Sequence, residues 1–266
     1  MGASAAFFDL DKTVIAKSSA LAFGRPFYRD GMISRRNLIK GAYAQLMFKM
    51  SGADEQTMSR LRDHLATQCK GWRVEQVNQI VRETLDELIN PFVYAEAAAL
   101  IAAHRAAGRD VVLVSTSGEE MVRPIGEALG ITDIIATRMV VDNGLYTGAI
   151  DFYAAGPNKV TAVQKLAVER DYDLSDSFAY SDSVTDAPLL AAVGHPTAVN
   201  PDRGLRRLAA DNGWPVLAFR HPVPLSRRLR QRPVIPVAAA VGAGVAVVVG
   251  LLWYGKLRRA RLAAVT

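Results

Sequence analysis

Four short stretches of the chain combine residue types and spacings that can do chemistry. Asp9-Leu10-Asp11-Lys12-Thr13 follows the apolar run SAAFFDL. Two carboxylates one residue apart at a strand end suit one acid as nucleophile or metal ligand and the other as proton carrier. A calcium loop is excluded, because Thr13 holds the third ligand position and no glycine follows it. A second apolar run, VVLVS, ends at Ser115 and leads through Thr116, Ser117 and Gly118 into a helical pattern. Ser117 and Glu120 have capping-box spacing, which leaves Ser115 free for a ligand beside a helix N-terminus, a natural seat for phosphate. Lys159 stands in a first helical turn, where a cation opposes the helix dipole, so its position suggests a partner elsewhere. Asp182 and Asp186, four apart after the run SFAYS, are hard oxygen ligands of the kind magnesium takes. Each stretch also has a plainer explanation: acids capping a turn at 9–13, a solvated lysine at 159, an N-cap at Asp186.

The elements that must position these groups follow from periodicity. Residues 4–10, 110–115 and 177–181 are short apolar runs that read as buried strands. Helices are expected near 93–107, after Gly118, from Asn158 and from Asp186, with a hairpin at VVDNGLYTG. Between the first strand and Pro91, residues 17–90 carry apolar positions at three- and four-residue spacing and are expected to be entirely helical. The fold class is therefore α/β, a Rossmann-like, mainly parallel sheet core with an inserted helical cap. Such sheets place their chemistry at the carboxyl ends of strands.

Taken in order, acid pair, hydroxyl, lysine and acid pair, the chain from about residue 5 to residue 200 resembles the haloacid dehalogenase superfamily. The helical insertion between the first two motifs, and the Asp-Asn-Gly hairpin followed by Tyr146-Thr147-Gly148, are similar to its phosphoserine-phosphatase-like branch. The fourth motif departs slightly, with Ser181 where the family usually has glycine. The resemblance implies a phosphatase in which Asp9 attacks phosphorus to form an aspartyl-phosphate. Asp11 would protonate the leaving oxygen and then activate water. Ser115 and Thr116 with Lys159 would hold the phosphoryl oxygens. Mg²⁺ would be bound by Asp9, the Asp11 backbone carbonyl and Asp182, with Asp186 in an outer shell.

Composition sets the remaining limits. Half of the 266 residues are hydrophobic and 22% are charged, which excludes a disordered chain. Cys69 is the single cysteine, so neither an internal disulfide nor a cysteine zinc site is available. The four histidines, His64, His104, His195 and His221, sit beside no motif and are expected at the surface or in packing. Residues 220–266 hold eight Arg and one Lys with no acid; these nine charges exceed the net +6, so residues 1–219 carry −3. A mildly acidic body without interleaved aromatic and basic residues excludes nucleic acid as a partner. From Val234 to Tyr254 the chain runs 21 residues without a charge, enough for about 30 Å of hydrocarbon. Pro236 in its first turn and Trp253-Tyr254 at its end suit a membrane span.

The expected organisation is a core of residues 1–16 and 91–219, a cap of 17–90, a basic linker of 220–233, one C-terminal transmembrane helix over 234–254 and a short basic tail of 255–266. Arg and Lys are nearly balanced on the two sides of the span. With no signal-peptide pattern at the N-terminus, the catalytic body is expected to be cytoplasmic. Ala238, Gly242, Ala246 and Gly250 form a small-residue stripe through which two such helices can pair as a homodimer.

The substrate expectation rests on two features. Relatives that act on phosphoserine resemble one another in having a glutamate nine residues after the nucleophile, where Ser18 stands here. A tether also favours a substrate confined to the bilayer. A lipid or envelope-precursor phosphate is therefore expected, with Arg25, Arg35, Arg36, Arg60 and Arg62 of the cap as candidate headgroup contacts. Phosphoserine or another soluble phosphomonoester is the alternative, and a membrane-recruited interaction module with a vestigial site is a third.

Overall fold

Strands that read as continuous apolar runs need cover on both faces, and the chain supplies it. In the computed structural model of this protein, residues 3–34, 63 and 66–223 are described. The sheet has seven strands, β1 (Ala5–Phe8), β2 (Asp110–Gly118), β3 (Asp133–Asp142), β4 (Leu145–Phe152), β5 (Phe178–Ser181), β6 (His195–Val199) and β7 (Val216–Leu217). Their order is β4-β3-β2-β1-β5-β6-β7, and every pairing is parallel except the β3–β4 hairpin. The hairpin turns through Asn143 and Gly144, both at positive φ, which matches the right-handed twist of the flanking strands.

Alternation along β1 sends Ala5 and Phe7 to one face, and Ala6 and Phe8 to the other. On the Phe8 side lie Ile101 of α3 (Ala95–Ala106) and Val122 and Ile125 of α4 (Glu119–Ala128). Among the described residues, two further helices that, like α3, lie between β1 and β2 join the same cluster: α1 (Ser19–Arg29) through Phe23, and α2 (Val74–Leu88) through Val77 and Val81. The Phe7 side is covered by Val163 and Ala167 of α5 (Pro157–Arg170), Leu189 and Leu190 of α6 (Ala187–Ala191), and Leu205 and Ala209 of α7 (Arg203–Asn212). The chain winds outward from β1 in one direction through β2 and β3, then restarts at β5 on β1's other side. A ligand crevice opens at such a switch point, beyond the carboxyl ends of the strands.

Two sequence expectations are corrected here. The second strand continues past Ser115 to Gly118 through a bulge, with Ser115 opposite Ala136 and Gly118 opposite Thr137. The helix that follows therefore starts at Glu119 with Gly118 as its cap, and Ser117 makes no capping bond. The last motif leads first into a short 3-10 turn, Val184–Asp186, before α6 begins at Ala187.

The links between core and insertion are short and mutually bonded. Ala16 N–H donates to Phe92 O at 2.8 Å, and Tyr94 N–H donates to Val14 O at 3.0 Å. Residues 219–223 lie along the same segment: Ala95 N–H donates to His221 O at 2.8 Å and Val223 N–H to Val93 O at 2.9 Å. His221 Nδ1 pairs with Glu96 at 2.7 Å. The start of the expected basic linker is thus bound to the core. The rest of that linker, the apolar run 234–254 with its small-residue stripe, the tail, Arg35, Arg36, Arg60, Arg62 and His64 lie outside the described residues. No helix among the described residues is long and apolar enough to cross a membrane.

Behind the switch point, Phe8 stacks on Tyr180 at 4.4 Å, and the buried His104 reaches Tyr180 Oη through Nε2 at 2.9 Å. Burial, reinforced by the Arg109 guanidinium, pushes the His104 imidazole down to about 4. The folded protein therefore keeps His104 neutral at pH values where the unfolded chain protonates it, and stability contributed above about pH 6.5 is lost as pH falls towards 4. Between pH 7 and pH 5 we expect a loss of about 1–2 kcal/mol from this group. Urea unfolding midpoints at the two pH values check it: His104→Gln should lose less than the parent, and an equal loss refutes the assignment.

Candidate active site

The carboxyl ends of β1, β2 and β5 bring three of the four sequence motifs together, and α5 supplies the fourth. Asp9 leaves β1 with its backbone N–H donating to Tyr180 O of β5 at 2.9 Å, so the first and last motifs are fixed by sheet pairing itself. Lys159, the third residue of α5, is 1% exposed. Its ammonium donates to Asp9 Oδ1 at 2.9 Å and to Asp186 Oδ2 at 2.8 Å. The cation that opposed its own helix dipole is thus spent on two carboxylates 150 and 27 residues away.

Asp186 also accepts from the buried Ser181 hydroxyl at 2.8 Å. It stands at the N-cap position of α6, as read from the sequence, but with those two partners its side chain makes no capping bond to that helix. Ser181, the departure from the usual family glycine, therefore holds an acid of the site. Asp182 is set by Asp202, whose N–H donates to Asp182 O at 2.8 Å. One Asp202 carboxylate oxygen accepts from Val184 N–H at 3.0 Å and the other from Leu205 N–H at 2.7 Å, capping α7.

Asp11 is held by a different set. Ser19 N–H, in the first turn of α1, donates to Asp11 Oδ1 at 2.9 Å, and Ser117 Oγ donates to Oδ2 at 3.3 Å. The Ser19 and Ser117 hydroxyls meet at 2.7 Å. The proton-carrying acid of the expected mechanism thus caps the first helix of the insertion and touches the bulge of β2. Ser115, buried, accepts from Ser117 N–H at 3.2 Å, which leaves its own proton to donate. Thr116 stands exposed at the bulge, its carbonyl fixed by Thr137 Oγ1 at 2.7 Å.

Sequence reasoning passed over Ser19, Asp202, and the roles of Ser117 and Ser181. A hydroxyl or carboxylate whose partner lies far along the chain leaves no periodic signal. His104 was likewise read as remote from every motif, whereas it backs Tyr180.

Four acids share this crevice with two lysines. Burial pushes the Asp9 carboxyl up to about 8, against the pull of Lys159 and with the push of Asp186, Asp182 and Asp11. Burial likewise raises Asp182 to about 6, against the pull of Lys12. Asp11 is raised by burial, opposed by its bonds from Ser19 and Ser117. Lys159 is raised: burial disfavours its charge, and Asp9 and Asp186 outweigh that. Lys12, more than half exposed, lies 3.7 Å from Asp182. Fully ionised, the four carboxylates would outnumber the two ammoniums by two negative charges, the complement of one divalent cation, and the raised carboxyls reflect how unfavourable that excess is without one. Among the described residues no three His, Cys, Asp or Glu side chains form a ready-made cage. Magnesium does not need one, since it takes few carboxylates and fills its shell with water and phosphate oxygens. The donor set fits that ion.

Removing the buried Lys159 ammonium leaves these acids uncompensated. We expect Lys159→Met to destabilise the metal-free protein by about 3–5 kcal/mol, seen as a fall in thermal midpoint. A midpoint within a degree of the parent would contradict the charge balance described.

Comparison with known proteins agrees with this geometry. Residues 6–191 match the haloacid dehalogenase-like hydrolase family. The chain is 54% identical over 266 residues to an "inhibition of morphological differentiation protein" of Streptomyces azureus, covering 98% of this chain and 96% of that one. It is 52% identical over 257 residues to a probable phosphatase of Mycobacterium tuberculosis, covering 96% and 90%. Among solved structures, a protein of unknown function from Bordetella pertussis aligns with a TM-score of 0.72 at 27% identity, over 82% of this chain and 99% of that one. A substrate-bound phosphoserine phosphatase aligns at 0.61 with 17% identity, over 84% and 95%, a likeness of fold. The acids at the switch point and the lysine buried among them are thus those of a chain that belongs to the haloacid dehalogenase-like hydrolases, with a probable phosphatase among its relatives and phosphoserine phosphatases among its structural neighbours.

Proposed function

We propose that the chain is a Mg²⁺-dependent phosphomonoesterase that works through an aspartyl-phosphate on Asp9. The observation that carries the reading is the Lys159 ammonium held between Asp9 and Asp186 in a buried, acid-rich crevice. A structural ion pair needs one acid per lysine; a surplus of buried acids is costly unless a cation and an anionic substrate are to be accommodated.

Asp9 Oδ attacks phosphorus, forming an O–P bond as the bond from phosphorus to the leaving oxygen breaks. Asp11, whose burial favours the protonated form, gives its proton to that oxygen. Ser19 N–H and Ser117 Oγ hold the Asp11 carboxyl in one orientation for this transfer. Asp11 then takes a proton from water as the water attacks phosphorus, and Asp9 is released. Lys159 neutralises the phosphoryl oxygens and orients the Asp9 carboxylate, while Ser115 and the bulge N–H groups bind further oxygens. Asp9, the Asp11 carbonyl and Asp182 would hold Mg²⁺, with Asp186 outside them. When bound, the ion offsets the carboxylate charge and favours the ionised nucleophile.

The substrate we propose is a lipid or envelope-precursor phosphate, met at the membrane by a body tethered through residues 234–254 on the cytoplasmic side. Ser18 supports this, since it leaves no carboxylate at the position where phosphoserine-specific relatives resemble one another in having one. The 21-residue uncharged run and its basic flanks support the tether.

Asp9→Asn should abolish turnover of p-nitrophenyl phosphate, by about 10³-fold or more, and chelation of divalent ions should silence the parent, with Mg²⁺ restoring it. Activity retained in a clean Asp9→Asn preparation removes the nucleophile assignment. Turnover of phosphatidylglycerophosphate, lysophosphatidic acid and phosphoserine in detergent separates the substrates, and selective use of phosphoserine rules out the lipid reading.

A further inference from the structure

Lys12 directly follows the two acids of the first motif, and the chemistry described so far leaves it without a role. Its backbone stands at φ +62, a left-handed conformation that costs a non-glycine residue about 1 kcal/mol and that persists where the surroundings impose it. The imposing contacts are present: Val14 and Ile15 N–H groups both return to Leu10 O, at 2.9 and 3.0 Å, and close the loop tightly around Lys12. The side chain is 55% exposed, yet its ammonium leans over the mouth of the crevice, 3.7 Å from Asp182 Oδ2.

The other charges of the site have closer partners. Lys159 is taken by Asp9 and Asp186 below 3 Å, and Asp11 by Ser19 and Ser117. Lys12 and Asp182 are left to each other at a longer, solvent-facing distance, a weak pair. A divalent cation on Asp182 removes even that attraction, because the ion and the ammonium carry the same sign and compete for one carboxylate. The lysine then keeps the more distant attraction of Asp11 but has lost its ion-pair partner at the rim, on a backbone that keeps it there. The phosphoryl group already has Lys159, so what remains for Lys12 to meet is the part of the ester that leaves.

We infer that Lys12 selects the leaving group, its ammonium pairing with a second negative charge, carboxylate or phosphodiester, carried by the alcohol part of the phosphomonoester. The inference rests on the phosphomonoesterase reading and narrows its substrate class. An ammonium-bearing alcohol is disfavoured by the same lysine, in keeping with the uncharged Ser18 nearby in sequence.

The test compares kcat/KM with Mg²⁺ for four esters: glycerol 3-phosphate, whose leaving group is neutral; 3-phosphoglycerate, of the same length with a carboxylate; phosphatidylglycerophosphate, with a phosphodiester; and phosphoethanolamine, with an ammonium. The full-length parent should prefer at least one anionic ester over glycerol 3-phosphate by about fivefold, the scale of one half-exposed charge pair. Which anion is preferred distinguishes a lipid from a soluble source. Lys12→Asn, which removes the charge but accepts the left-handed backbone, should erase that preference, and Lys12→Arg should keep it. In calorimetric titration with MgCl₂ alone, Lys12→Asn should bind several-fold more tightly than the parent, because nothing competes for Asp182. An unchanged preference in Lys12→Asn, an equal loss on all four esters, or unchanged Mg²⁺ affinity overturns the inference while leaving the phosphomonoesterase reading intact. Failure of the parent to hydrolyse any of the four, or p-nitrophenyl phosphate, overturns both.

Discussion

A single ammonium group, that of Lys159, makes the arrangement at the switch point possible. Burying Asp9 and Asp186 side by side is unfavourable through both desolvation and mutual repulsion, and no hydroxyl or backbone amide offsets two such charges. Lys159 does so from the first turn of α5, with one hydrogen bond to each acid. That contact ties the end of β1 to the turn after β5 through a third element, so sheet and helix meet at one charge. The remaining acids, Asp11 and Asp182, are left in excess, and that excess is the feature that suits a divalent cation and a phosphate ester rather than a simple structural ion pair.

Around this centre the polar groups form a set in which each acid has its own support. Asp11 is tied to the start of the insertion through Ser19 and to the β2 bulge through Ser117. Asp182 is tied to α7 through Asp202, and Asp186 to β5 through Ser181. Because Asp11 bonds the first turn of α1, any motion of the insertion that lifts α1 withdraws a donor from the acid that must carry the proton. The same insertion is joined to the core by two short links bonded to each other, with residues 219–223 bonded alongside them through an isolated bridge.

Much of the fold was legible because its signals are local. Apolar runs of the right length gave β1, β2 and β5, and the Asn143-Gly144 pair marked the hairpin. Boundaries suffered where tertiary structure overrode a local rule. Ser117 and Glu120 have the spacing of a capping box, yet the strand runs on through its bulge, and Ser117 turns to Asp11. Asp186 has the position of an N-cap, yet a buried ammonium is the stronger partner. In each case a charged contact outweighed a neutral cap.

By itself, the sequence determined which groups are available: acids at strand ends, a lysine at a helix start, an uncharged apolar run near the C-terminus, and the periodicities that sort strand from helix. These follow from side-chain type and spacing along a few neighbouring residues. Tertiary structure alone decided which hydroxyl meets which acid. Ser19 and Ser117 are 98 residues apart, and Ser117 and Asp11 106, so their meeting depends on the order of the strands and on a two-residue bulge in one of them. A hydrogen bond requires its atoms within about 3 Å, and no pattern along the chain encodes a distance of that kind between residues that only the packed sheet brings together.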